Sequence, residues 1–172
     1  MASMLAILII GQDIGLITQR EINMGKYITT KTYDHSAGLT CAWRNWKAKS
    51  RARFLHGYSL HVKIVFAVTM LDETGRALDL DDMEEIDSWL RETFSHTTCI
   101  AEDDPRLTDF QRLHSYGAID LRIMSGVGME RFAETIWHRV RGWLCERDLE
   151  SRVSVRTVEV MKHPANSGLY LD

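Results

Sequence analysis

Seven histidines and a scatter of carboxylates are the side chains in this chain with acid–base or metal chemistry. His56 has the most suggestive setting. It stands in Phe54-Leu55-His56-Gly57-Tyr58-Ser59-Leu60-His61-Val62-Lys63-Ile64-Val65-Phe66. From Tyr58 onward, Tyr58, Leu60, Val62, Ile64, Phe66 and Val68 share one face, and Ser59, His61, Lys63 and Thr69 share the other. Period two over this length specifies a half-buried strand. His56 has the parity of Tyr58, so its imidazole stands where the buried face meets an entrance. An imidazole there either binds a metal, moves a proton or packs at a strand end. Gly57 leaves room for close backbone approach. His61 has the wrong parity to join His56. Glu159 and His163 share parity on a late extended stretch, so both can line one pocket. His114 and His138 fall in helical segments, as solvent-facing or packing residues.

The elements that must position these groups follow from periodicity. Tyr27 to Tyr33, rich in threonine and aromatics, reads as a first strand running toward Asp34-His35. Ser36 to Arg53 has no sustained period and reads as a long loop, joining two antiparallel strands. Asp72 to Arg76 is turn chemistry. Asp81 or Asp82 caps a helix whose stripe is Met83, Ile86, Trp89, Leu90 and Phe94, ending near Ser95-His96. An acidic turn at Ala101–Pro105 leads to a short helix over Leu107 to Tyr116. Ile119 to Ile123 alternates as a third strand. Met129, Phe132, Ala133, Ile136, Val140 and Trp143 mark a second main helix. Val153, Val155, Thr157, Glu159 and Met161 alternate as a fourth strand, with Pro164–Gly168 a loop after it. The class is α+β, with helices on one sheet face.

Composition bounds the function classes. A chain of 172 residues, 45% apolar and 26% charged, suits one soluble domain with a full core. A net charge of −3 implies no general attraction to nucleic acid or membrane. The basic run Lys47, Lys49, Arg51, Arg53 either meets an anionic substrate or is a solvated loop. Cys41, Cys99 and Cys145 form no disulfide framework, which points to a reducing, cytoplasmic compartment. Met4 to Ile10 is apolar but too short to span a bilayer, and it lacks the flanks of a signal peptide. It reads as an added strand, an interface segment or an extension. The expected division is residues 1–25 as an N-terminal extension and 26–172 as one domain.

Several short motifs occur in a telling order. They are Tyr33-Asp34-His35-Ser36-Ala37-Gly38-Leu39, Leu55-His56-Gly57-Tyr58, Ala77-Leu78-Asp79-Leu80-Asp81-Asp82, Thr93-Phe94-Ser95-His96, Glu102-Asp103-Asp104-Pro105, Gly128-Met129-Glu130-Arg131-Phe132-Ala133 and Val158-Glu159-Val160. From Lys26 to the C-terminus the chain resembles the 6-pyruvoyl tetrahydropterin synthase / 6-carboxy-tetrahydropterin synthase family. The resemblance implies a tunnelling fold (T-fold): an antiparallel four-stranded sheet with two main helices on one face, closing into an oligomeric barrel as a homo-oligomer, trimer or hexamer. Sites lie at subunit interfaces. It implies a pterin substrate, dihydroneopterin triphosphate or a related dihydropterin, in 7-deazaguanine or biopterin-type synthesis, with zinc as cofactor. A zinc ion with an open position polarises substrate oxygens. A cysteine with an aspartate–histidine couple moves protons, and a glutamate holds the guanidine-like edge of the pterin.

Carried over residue by residue, the resemblance makes His96 the catalytic acid–base histidine and Glu159 the pterin anchor, with Glu130 and His163 also substrate-binding. It makes His56 a metal ligand, joined by His35 and Tyr58. The chain also departs from the pattern. Tyr58 replaces the second histidine of a His-Gly-His pair. The strand-one histidine aligns with Ala37, His35 lying two residues earlier at the same parity. The family cysteine is Ala52, and Cys41 in the same loop either substitutes for it or is a free buried thiol. The aspartate before His96 is Ser95, and Gly128-Met129 stand where a threonine-serine pair is expected. The leading expectation is a pterin-processing lyase of the 6-carboxy-tetrahydropterin synthase type. The alternatives are a catalytically silent pterin- or purine-binding oligomer, or an interaction scaffold built on the same ring.

Overall fold

The protein is described by a computed structural model covering residues 26–171. The expected 1–25 extension, with its apolar stretch, lies outside the described residues. In chain order the elements are β1 (Tyr27–Tyr33), β2 (Thr40–Trp43), β3 (His56–Ser59), β4 (His61–Val68), α1 (Glu84–Phe94), β5 (Thr97–Ala101), α2 (Leu107–Ser115), β6 (Leu121–Met124), α3 (Met129–Cys145), β7 (Val153–His163) and β8 (Asn166–Leu171).

Alternation along β4 builds a four-stranded antiparallel sheet in the order β1-β4-β7-β8. Val62, Ile64, Phe66 and Val68 on β4 are fully buried. They meet Ile86, Leu90 and Phe94 of α1 and Phe132, Ile136 and Val140 of α3 in one core. Phe94 and Phe132 touch edge to face with ring centroids 5.2 Å apart, joining the two helices over the sheet. Trp137 Nε1 donates to Val155 O at 2.9 Å, tying α3 to β7. Gly168 lets β8 run against the start of α3: a Cβ there would lie 2.6 Å from Glu130 N. The α+β class and the helix-covered antiparallel sheet match expectation. No helix among the described residues is long and apolar enough to cross a membrane.

Five local expectations are corrected. The opening strand does not run unbroken to Val68. Leu60, buried and donating its N–H to Leu39 O at 2.8 Å, separates β3 from β4, and the two join different sheets. The loop over 36–53 contains β2 and two single 3₁₀ turns, His35–Ala37 and Arg51–Arg53. The third expected strand, β6, does not enter the antiparallel sheet. It pairs in parallel with β5, completing a second sheet in the order β3-β2-β5-β6. β8 takes the fourth place in the first sheet, so part of the expected loop after Pro164 is strand.

The fifth correction concerns parity. Val65 pairs with Thr157 and Phe66 with Val155, so Arg156 is one residue too many on β7. This β-bulge flips the alternation. Val153, Val155, Val158 and Val160 therefore all face the helices and are buried. Glu159 does not share the face of Val153 and Val155. It stands on the opposite face, half-buried, in a cross-strand row with Thr32, Lys63 and Leu169.

Candidate functional site

Trp43 and His56 are directly opposed on β2 and β3, and their rings lie 5.0 Å apart. His56 Nδ1 is 2.8 Å from Phe54 O, so the neutral ring donates there and leaves Nε2 with a free lone pair. Tyr58 packs 5.6 Å from Trp43 and 5.8 Å from His56. Its other side meets His163 at 6.1 Å, and Lys162 Nζ lies 5.5 Å from its ring centroid. Gly57 keeps β3 close to β2, since a Cβ there would sit 3.3 Å from Cys41 O. His56, Tyr58 and His163 thus form one aromatic group. Both His163 ring nitrogens are engaged by the β7–β8 turn, with Ala165 N at 3.3 Å and the Asn166 amide at 3.1 Å.

His35 lies elsewhere. Its Nδ1 is 2.7 Å from Ser59 O, and Ser59 Oγ donates back to His35 O at 2.9 Å. Its ring packs edge-on against His61, with centroids 5.8 Å apart. Among the described residues no three His, Cys, Asp or Glu side chains converge as metal ligands. The donor set explains this. Ala37 brings a methyl, half-buried against the core, and Tyr58 brings a phenol wedged among aromatic rings. The residues at the expected zinc position do not fit a three-histidine centre.

His96 follows directly on the C-terminus of α1 with φ at +59°. Glycine is the usual residue for this left-handed helix exit, so an imidazole there costs backbone strain. Its N–H donates to Thr40 O at 2.7 Å, which fixes the turn against β2. Ser95 Oγ lies 3.0 Å from His96 Nδ1 and orients the ring where an aspartate was expected. The ring borders an open cleft of about 400 Å³ walled by Thr40, Gly57, Tyr58, Ser59 and Thr97.

Cys41 does not replace the missing cysteine as a thiolate. It is a free, buried thiol of the core. The hydrogen-bonded Cys99 thiol and burial push it far above the usual thiol range, so it stays protonated. Glu130 is exposed in the first turn of α3 and borders a different cleft, of about 310 Å³, with Trp46, Lys47, Asp103 and Arg131. Lys47 and Trp46 both donate to Asp103, and these bonds hold its carboxyl below the usual carboxylate range. His96 and Glu130 thus border different clefts, and Glu159 stands on the open face of the antiparallel sheet. Sequence reading missed Ser95 as the partner of His96 and Lys63 as the residue opposite Glu159. The β4–β7 register carries the second signal, but the bulge hides it from a parity count.

Fold and site together define an α+β protein with a helix-covered antiparallel sheet and with His35, His56 and His61 beside the Leu60 junction of its two sheets. A family model described as 6-pyruvoyl tetrahydropterin synthase matches residues 32–171, and the chain belongs to that family. No curated protein matches the chain. Solved structures share the fold at low identity. An uncharacterized protein from Wolinella succinogenes has a TM-score of 0.71 at 17% identity, over 85% of this chain and 98% of that one. The 6-pyruvoyl tetrahydropterin synthase of Plasmodium vivax gives 0.58 at 14%, over 84% and 98%. The Caenorhabditis elegans enzyme gives 0.53 at 13%, over 85% and 94%.

Proposed function

We propose that the protein is a pterin-processing lyase of the 6-carboxy-tetrahydropterin type, acting on dihydroneopterin triphosphate or a related dihydropterin. The observation that carries this reading is His96, a strained, oriented imidazole at the rim of a cleft. A group held in a costly backbone conformation, where glycine would serve, is retained for its side chain. In this reading His96 moves a proton at the pterin side chain. Glu159 accepts two hydrogen bonds from the guanidine-like edge of the heterocycle. No hydrogen bond or ion pair holds its carboxylate among the described residues, although Lys63 is directly opposite.

In this reading His96 and Glu159 come together in a site shared between copies of the chain. The edges of the antiparallel sheet favour such assembly: Tyr27 and Ile28 on β1 and Leu169 and Leu171 on β8 are exposed large apolar residues. Unpaired edges of this kind are templates for another strand. A monomer by light scattering overturns this part of the reading.

A second reading, a silent pterin or purine binder, is favoured by Ala52 and by the protonated Cys41. Incubation with dihydroneopterin triphosphate separates the two. Turnover that His96→Gln abolishes, with ligand binding kept, supports the lyase. Binding without turnover, lost in Glu159→Gln, supports the silent binder. No binding at all removes both.

A further inference from the structure

Away from the clefts already described, a cavity of about 180 Å³ lies between the C-terminal half of α3 and the start of β7. Trp137, Arg141 and Leu144 reach it from α3, at the i, i+4, i+7 spacing of one helix face. Val153 and Val155 reach it from β7, short of Thr157, where pairing with β8 stops among the described residues. Glu150 borders it from the turn between α3 and β7. That turn is fixed: Leu149 N–H donates to Leu144 O at 3.0 Å, and Val153 N–H donates to Leu149 O at 2.9 Å.

The floor of the cavity is apolar, since Trp137, Leu144, Val153 and Val155 are all buried. The Trp137 N–H is taken by Val155 O, so the indole offers the cavity only its ring. Tyr170 packs on that ring with centroids 5.4 Å apart and keeps it from swinging. The rim is charged. The Arg141 guanidinium lies over the Trp137 ring, 5.4 Å from its centroid, a cation–π contact that orients it. Arg139 and Arg147, on the same helix, are ion-paired with Glu85. Arg141 has no ion pair or hydrogen bond among the described residues, and neither has Glu150. Two opposite charges thus line one small cavity without meeting across it.

We propose that this cavity binds a free α-amino acid with an apolar side chain, its carboxylate on Arg141, its ammonium on Glu150 and its side chain on the Trp137 floor. A lone anion would be repelled by Glu150, and a lone cation by Arg141. A neutral ligand would leave both charges unanswered, whereas a zwitterion answers both with charge-assisted hydrogen bonds. The apolar floor rewards an aliphatic or aromatic side chain. The volume falls below the about 300–1,000 Å³ of pockets for drug-sized ligands, which fits one amino acid rather than a peptide. None of these residues belongs to the His96 cleft or the Trp43, His56, Tyr58 and His163 group.

The test uses the full chain, titrated calorimetrically with L-leucine and with L-phenylalanine. Two blocked compounds serve as comparisons: N-acetyl-L-leucine, which lacks the ammonium, and L-leucinamide, which lacks the carboxylate. The wild type and His96→Gln should bind at least one of the two amino acids equally well. Each blocked compound should bind about tenfold or more weakly, the loss expected for one charged hydrogen-bonding partner. Arg141→Gln and Glu150→Gln should each weaken amino-acid binding by a similar factor. Both substitutions are at exposed positions, and circular dichroism confirms that the variants are folded. The proposal fails if the wild type binds neither amino acid, if both variants bind like the wild type, or if either blocked compound binds as well as leucine. Because the readout is amino-acid binding, it succeeds or fails independently of pterin turnover.

Discussion

The two sheets are made from different kinds of strand. In the antiparallel sheet, β4 alternates buried and half-buried residues for most of its length, and one face packs on α1 and α3. In the second sheet, β5 is buried at all five positions and pairs in parallel on both sides. The other strands of that sheet, β2, β3 and β6, have only four residues each. The first sheet is held by a continuous apolar layer. The second is held at its rim by polar ties, foremost Arg44 Nε against Asp104 Oδ2 at 3.0 Å, in close contact but off-line for a hydrogen bond. Side chains with chemistry gather along the second sheet and at the Leu60 junction, where no single alternation dictates their direction.

That contrast can be broken by substitution. The largest effect is expected from Arg44→Ala, which strands the buried Asp104 carboxylate and should cost about 3 kcal/mol or more in denaturant unfolding. Replacing both partners, with Arg44→Met and Asp104→Leu, should restore most of that loss. If the single variant is as stable as the wild type, charge does not hold the second sheet.

Next in size is Gly168→Ala, which drives a methyl into the backbone of α3 where it meets β8. About 1–3 kcal/mol of destabilisation is expected from such overpacking. A neutral result in thermal unfolding would mean that the antiparallel sheet does not sit tightly on its helix.

The smallest effect concerns the edge of the first sheet. Tyr33 on β1 donates to Asp87 Oδ1 on α1 at 2.5 Å. Burial first, and then that bond, push the phenol far above its ordinary value of 10.0. A pKa raised on folding gives stability that is complete below pH 10 and declines as pH rises beyond it. Tyr33→Phe should cost about 1–2 kcal/mol at neutral pH and flatten the alkaline decline. Melting temperatures at pH 8 and above pH 10, compared between the two proteins, check both statements.

Much of the fold was legible in the residues. The stripes of α1 and α3 and the alternation of β1 and β4 identify the first sheet and its covering helices. β5 was missed because a strand buried on both faces has no period to read. β2 was missed because four residues inside a loop carry too short a pattern. His96 was legible as an isolated chemical residue, but its backbone strain and its Ser95 partner were not. His35 was expected beside His56, and the structure sets it beside His61. The cause is Leu60, whose buried side chain and bond to Leu39 redirect the chain between two sheets. Glu159 was expected to share the face of Val153 and Val155, and the bulge at Arg156 moves it to the other.

The extra residue at Arg156 has a hereditary consequence. Loss of one codon there would restore strict alternation through the rest of β7. Val158 and Val160 would stay on the buried face and Glu159 on the open one, because the residue lost is the one the bulge absorbs. A change in length by a single residue can therefore be absorbed at this one point of the strand without changing what its open face presents.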